Sequence, residues 1–251
     1  MRATIGLIVF LGTWTLLVNL LAVPEYLVPS PLALAHEFWF LLTEGDLLSH
    51  IPVTVIEIVA GFAVGSLLGI LFAVAFTRAP WLELLLSPLI VLIQTAPKIS
   101  IAPLLLLWLG LGLAPKIVLV IIVTFFPVMS NVHSGLKGLD PRLHDFARIV
   151  RMPAWMKFRR LELPHTLPFL FAGMKIAATL SVTAAVIGEL MGARAGLGYL
   201  LRLGQETADV GIVMVAVILL SIIGFVFYLL IEWAERRLLT WHESSARLRT
   251  E

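Results

Sequence analysis

The 251-residue chain contains no cysteine, which excludes disulfides, thiolate nucleophiles and Cys-ligated metal sites and leaves the redox compartment open. Charge is scarce, at 14% of residues. No G-x-x-x-x-G-K-[ST] phosphate loop occurs, so the chain cannot cradle ATP in that way. No metal-ligand spacing and no nucleophile paired with a base is visible, and no nucleic-acid partner or bound cofactor is expected. Apolar residues are abundant. They make up 60% of the chain, and the mean hydropathy of +1.01 lies outside the range of soluble domains. The expected class is an all-α integral membrane protein. There is room for five or six spans of about 20 residues and little left over for a separate soluble domain, so residues 1–251 are expected to form a single transmembrane domain.

Apolar runs lie at residues 5–23, 53–76, 82–111, 117–132, 167–187 and 212–233. Lipid offers no partner for free backbone N–H and C=O groups, so each run reads as a closed helix, giving six spans. The third run contains Pro97 and Pro103 and predicts a kinked or broken helix. The first run is longer than a signal-peptide core and lacks a small-x-small cleavage site, which predicts a retained span. The distribution of Lys and Arg predicts orientation. One side would hold Arg2, Arg78, Lys137, Arg142, Arg148, Arg151, Lys157, Arg159, Arg160, Arg236, Arg237, Arg247 and Arg249, the other only Lys116, Arg194 and Arg202. Both termini are therefore expected in the cytoplasm. Trp14, Trp81, Trp108, Trp233 and Trp241 fall near span ends, as interfacial anchors should.

Between the fourth and fifth runs lies "DFARIVRMPAWMKFRRLELPHTLP", residues 145–168. Upstream, Asp140 can cap a helix beginning at Pro141, whose missing N–H costs nothing there. Leu143, Phe146, Ala147 and Val150 then form an apolar stripe. A second short helix follows Pro153, with Ala154, Phe158 and Leu161 on one face, and Leu163-Pro164 is expected to end it before the next span. Pattern alone leaves two readings open: an amphipathic segment lying on membrane lipid, or a docking knob for a soluble partner.

The segment resembles the EAA loop of binding-protein-dependent ABC importer permeases. Asp145 stands at the family's Glu, Phe146 and Ala147 at its two alanines, Arg151 at its glycine and Leu163-Pro164 at its closing Leu-Pro. "TAPKISIAPLLLLWLGLG" (residues 95–112), "FLFAGMKIAATLSVTAAVIGEL" (169–190) and "GLGYLL" (196–201) are similar to the nitrate, sulfonate and taurine branch, the likeness spanning a core of residues 52–233. The resemblance implies a type I importer permease fold of six helices with cytoplasmic coupling helices within residues 137–164. It implies that Asp145, Phe146, Ala147, Arg148, Arg151, Leu163 and Pro164 couple to an ATPase. It also implies a bacterial inner membrane, two ATPase subunits that bind and hydrolyse ATP, a second permease chain and a periplasmic or lipid-anchored solute-binding protein. Nitrate, taurine and other sulfonates, all small and anionic or zwitterionic, fit the branch; thiamine precursors and flavins stay open. An ATPase-independent secondary transporter would need an acidic cluster at mid-depth or an inverted repeat, and neither is visible.

Charges inside spans raise a functional question by default. Lys98, Gln94 and Glu189 are candidates for a translocation path, although the Lys98 ammonium could equally serve carbonyls freed at Pro97 and Pro103. Lys175 should snorkel to the inner surface. Glu57 and Glu189 should lie near water at outer span ends, Glu189 beside the Gly-rich "MGARAGLGYLL" loop that could form an external gate. Gln94, Asn131 and His133 read as helix-to-helix hydrogen-bonding groups. Small-residue faces at Gly61, Gly65 and Gly69, and at Ala172, Gly173, Ala177 and Ser181, allow close helix approach. Six spans are few for an alternating-access path, which predicts a dimer of permease chains.

Overall fold

The computed structural model describes residues 2–21 and 24–239. Arg247, Arg249, Trp241 and the side chain of Arg2, all counted above, lie outside the described residues. The helices are α1 (Arg2–Leu20), α2 (Pro31–Thr43), α3 (Leu47–Arg78), α4 (Pro80–Thr95), α5 (Lys98–Leu109), α6 (Leu113–Lys137), α7 (Pro141–Ile149), α8 (Ala154–Lys157), α9 (Leu163–Gly192), α10 (Leu197–Glu206) and α11 (Val210–Leu238). A π-turn, Phe158–Glu162, joins α8 to α9. No strand occurs among the described residues. The chain forms two compact units, residues 1–56 with 186–222 and residues 57–185 with 223–251.

Among the described residues four helices are long and apolar enough to cross a membrane: Leu47–Arg78, Leu113–Lys137, Val210–Leu238 and the continuous helical stretch Ala154–Gly192. The third apolar run is two helices, α4 and α5, meeting at 99°. Proline forces its predecessor out of the helical region, and Ala96, with ψ 136°, is extended just before Pro97. Pro103 sits within α5 without breaking it. The first run forms α1, of which Leu11–Leu20 is a shorter apolar helix.

Contacts within the larger unit fix how these helices alternate. Near its start α3 meets the start of α6, where Lys116 Nζ lies 2.6 Å from Glu57 Oε1. At the other end Thr77 lies 3.3 Å from His133, and Lys137 pairs with Glu83 at the start of α4. Helices α3 and α6 are therefore parallel, and the bent pair between them runs back from the Arg78 end to the Lys116 end. It makes one crossing, the fifth. Helices α9 and α11, by contrast, are antiparallel: Lys175 pairs with Glu235 at 2.6 Å, and Gly224 packs beside Val182.

Lipid tails are as apolar as leucine, so close packing rather than water release holds such helices together. The glycine stripe of α3 supplies it. A β-carbon on Gly69 would stand 2.8 Å from the Phe125 carbonyl, and one on Gly65 2.9 Å from that of Ile121. The second small-residue face also packs on α6, Gly173 against the Pro127 carbonyl, while Ala177 and Ser181 are buried and Ala172 is exposed. Both stripes thus serve packing within the chain. Phe62, Phe76, Val128, Met129, Phe171 and Ile231 complete this unit's core. In the smaller unit Leu34, Leu41, Leu47, Leu197, Leu200 and Ala216 are buried.

Candidate functional site

The basic segment begins as its sequence suggests. Asp140 caps α7, its carboxylate accepting from the Arg142 N–H at 2.8 Å, with Pro141 as the first helical residue. The helix closes on two bonds that satisfy its last carbonyls: Met152 N–H donates to Ala147 O at 2.8 Å and Arg151 N–H to Arg148 O at 3.1 Å. This double closure needs a residue in the left-handed region just past the cap, normally glycine. Arg151 takes that position at φ 47°.

The exposed face of α7 differs from the expected stripe by one residue. Ala147 is buried at 3% exposure, whereas Leu143, Phe146 and Val150 are exposed and Ile149 is the most exposed at 80%. The helix turns Ala147 inward and Ile149 outward. Asp145 and Arg148 stand on the exposed side, as do Arg142 and Arg151.

Leu163-Pro164 does not end the segment. The helix runs on into α9 because the π-turn precedes it: Leu163 N–H donates to Phe158 O, five residues back, and Pro164 enters at the second position of α9. At this joint Glu162 is buried at 3%. Both its oxygens accept from the Arg78 guanidinium, and Lys157 Nζ lies 3.5 Å away. Neither Glu162 nor this use of Arg78 is legible in the residue pattern. The signal that could have pointed to them is a lone acid among Lys157, Arg159 and Arg160.

At the α4–α5 bend the Lys98 ammonium donates to the Gln94 carbonyl, which a straight helix would have offered to the Lys98 backbone. Gln94 and Lys98 are both half-buried there. Lys175, expected to snorkel to the inner surface, pairs with Glu235 at 2.6 Å. His133 does bridge helices, lying 3.1 Å from Glu83 and 3.3 Å from Thr77, whereas Asn131 turns back to its own helix at Pro127 O.

The expectation of water beside Glu57 and Glu189 is overturned, since both are fully buried. Burial of a charge is sustained by charge and hydrogen bonds. Glu57 is held by Lys116, itself only 5% exposed rather than an outer-surface cation. In the smaller unit Glu189 gathers the Gly-rich loop. Thr54 Oγ1 donates to Glu189 Oε1 at 2.7 Å and accepts from Leu197 N–H at 2.8 Å. Gly198 N–H donates to Glu189 Oε2, and Gly196 N–H donates to His50 Nδ1 at 3.1 Å. Gly196 lies at φ 115°, and a β-carbon on it would enter the Glu189 carboxylate. Among the described residues no group of three His, Asp or Glu could hold a metal ion.

Comparison with known proteins places these features in context. The family model described as binding-protein-dependent transport system inner membrane component matches residues 65–240. The riboflavin transport system permease protein RibX of Chloroflexus aurantiacus is 31% identical over 96% of this chain and 90% of its own length. The formylaminopyrimidine transport permease protein ThiX of Halalkalibacterium halodurans is 30% identical, over 97% and 96%. The putative aliphatic sulfonates transport permease protein SsuC of Bacillus subtilis is 27% identical, over 94% and 86%. Among solved structures, the MetNI methionine ABC transporter in an inward-facing conformation aligns with a TM-score of 0.56 at 21% identity, over 82% of this chain and 94% of that one.

Proposed function

The chain belongs to the family of binding-protein-dependent transport system inner membrane components, and from that premise we propose that residues 137–164 receive the stroke of a separate ATPase and convert it into alternating access for a small solute. The family is that of ABC importer permeases, which are transport subunits rather than enzymes, and the fold is the type I permease fold. The carrying observation is the capped, closed helix α7 with Leu143, Phe146, Ile149 and Val150 exposed beside Asp145, Arg148 and Arg151. An amphipathic helix with apolar anchors and a charged rim is suited to a groove on a soluble partner. Two ATPase subunits, a second copy of the permease and an external solute-binding protein complete the proposed assembly, with residues 137–164 and both termini in the cytoplasm. ATP is held by the ATPase pair. Asp145, Phe146, Ala147, Arg148 and Arg151 form and close the docking helix, and Leu163-Pro164 carries its motion into α9.

For the solute we propose a small anion of the sulfonate type, supported by the SsuC relative and the sulfonate-branch motifs. A second reading, a flavin or thiamine precursor, is favoured by the identities to RibX and ThiX. Gln94 and Lys98 are proposed to border its path. A photocrosslinker at Ile149, the most exposed large apolar residue of α7, should capture an ATPase in native membranes; capture of lipid alone overturns the docking role. Mass spectrometry of the solute carried by the co-purifying binding protein decides between the two solute classes. Uptake of that solute by Lys98→Met should fall, and unchanged uptake would remove Lys98 from the path.

A further inference from the structure

We propose that Glu162 is a positioning residue that holds the docking segment rigidly to α3 through Arg78, so that a pull on α7 reaches the spans as one movement. This rests on the ATPase-driven reading above and names the joint that reading requires. Residues five apart in an α-helix point about 140° away from each other, so Lys157 and Glu162 would not meet in one. The π-turn between them closes five residues back and brings such positions nearly into line. That local register gives the Lys157–Glu162 separation of 3.5 Å, and it aims the same carboxylate at Arg78, the last residue of α3.

The apolar side of the joint is loosely filled. Phe158 and Leu163 border an apolar cavity of about 50 Å³, closed by Val74 of α3 and Leu136 of α6. On its polar side the joint is held electrostatically: one buried carboxylate between two cations. The partners are unequal. Arg78 is half exposed at 50% and can be solvated alone, whereas the Glu162 side chain is 4% exposed and cannot. Removing Arg78 leaves the buried carboxylate to Lys157 alone, at 3.5 Å; removing the Glu162 charge only frees an exposed arginine.

The absence of native cysteine allows spin labels at two introduced sites, Ile149→Cys on α7 and Leu71→Cys on α3, both exposed. Double electron–electron resonance on the full chain in lipid nanodiscs should give one narrow distance. Glu162→Gln should lose it in favour of a broad distribution, and Arg78→Gln should lose it at least as fully. The double variant should be no broader than the worse single, as for two residues acting as a unit. Glu162→Asp, which keeps the charge, should restore the narrow component, which a packing defect would not. A narrow distance in Glu162→Gln, or additive effects of the two substitutions, overturns the proposal. Size-exclusion profiles verify that each variant is folded. If no ATPase binds the chain, the transport reading falls, while the distances in the chain alone still judge the joint.

Discussion

Arg151 carries the cost of the turn that ends α7. A side chain in the left-handed region costs about 1–2 kcal/mol, while glycine gives back about 0.5–1 kcal/mol through the freedom of the unfolded chain. Arg151→Gly should therefore stabilise the chain by up to about 1 kcal/mol, read as a higher thermal unfolding midpoint in detergent; a lower midpoint would mean that the guanidinium makes contacts worth more than the strain. The Asp140 cap and the Pro141 start were legible, because a cap is a local event written in two or three neighbouring residues. The resemblance marked position 151 as the family's glycine, but only the closure onto Ala147 and Arg148 explains why glycine suits it. Glu162 was illegible for the opposite reason. Its meeting with Lys157 requires a π-turn, and no sequence period announces one.

Helices α3 and α6 join by two devices of different kind, a glycine stripe and a buried ion pair. The stripe was readable from its four-residue spacing, though not that α6 would fill it. The Glu57–Lys116 pair was not, because hydropathy places each charge relative to its own span and says nothing of which neighbour will answer it. Lys116→Met should cost roughly 3–5 kcal/mol by leaving a buried carboxylate without its cation. The double change Glu57→Gln with Lys116→Met should recover most of that loss in thermal unfolding. If the single change is as stable as the parent chain, the pair does not hold these helices together. Pro97 in the sequence predicts a kink or a break, yet the 99° angle depends on how the two limbs pack, which no local rule fixes.

For the whole molecule, the parallel α3 and α6 and the antiparallel α9 and α11 gather Arg78, Lys137, Lys157, Glu162 and Glu235 toward one end of the larger unit. The Lys and Arg count drawn from sequence assigns that end to the cytoplasm. In sealed right-side-out vesicles a membrane-impermeant maleimide should spare a cysteine at Ile149 and label one at Glu44, which is exposed just past α2; the reverse pattern would invert the assignment. The class of fold followed from composition, but the number of crossings did not, since a bent run can either traverse a bilayer or return to the side it left. Here the buried Glu57–Lys116 contact decides the parity. Had α4 and α5 doubled back, Lys116 would have surfaced next to Arg78 and the segments that follow would have changed sides, α7 among them. One hidden lysine thus serves as the molecule's compass.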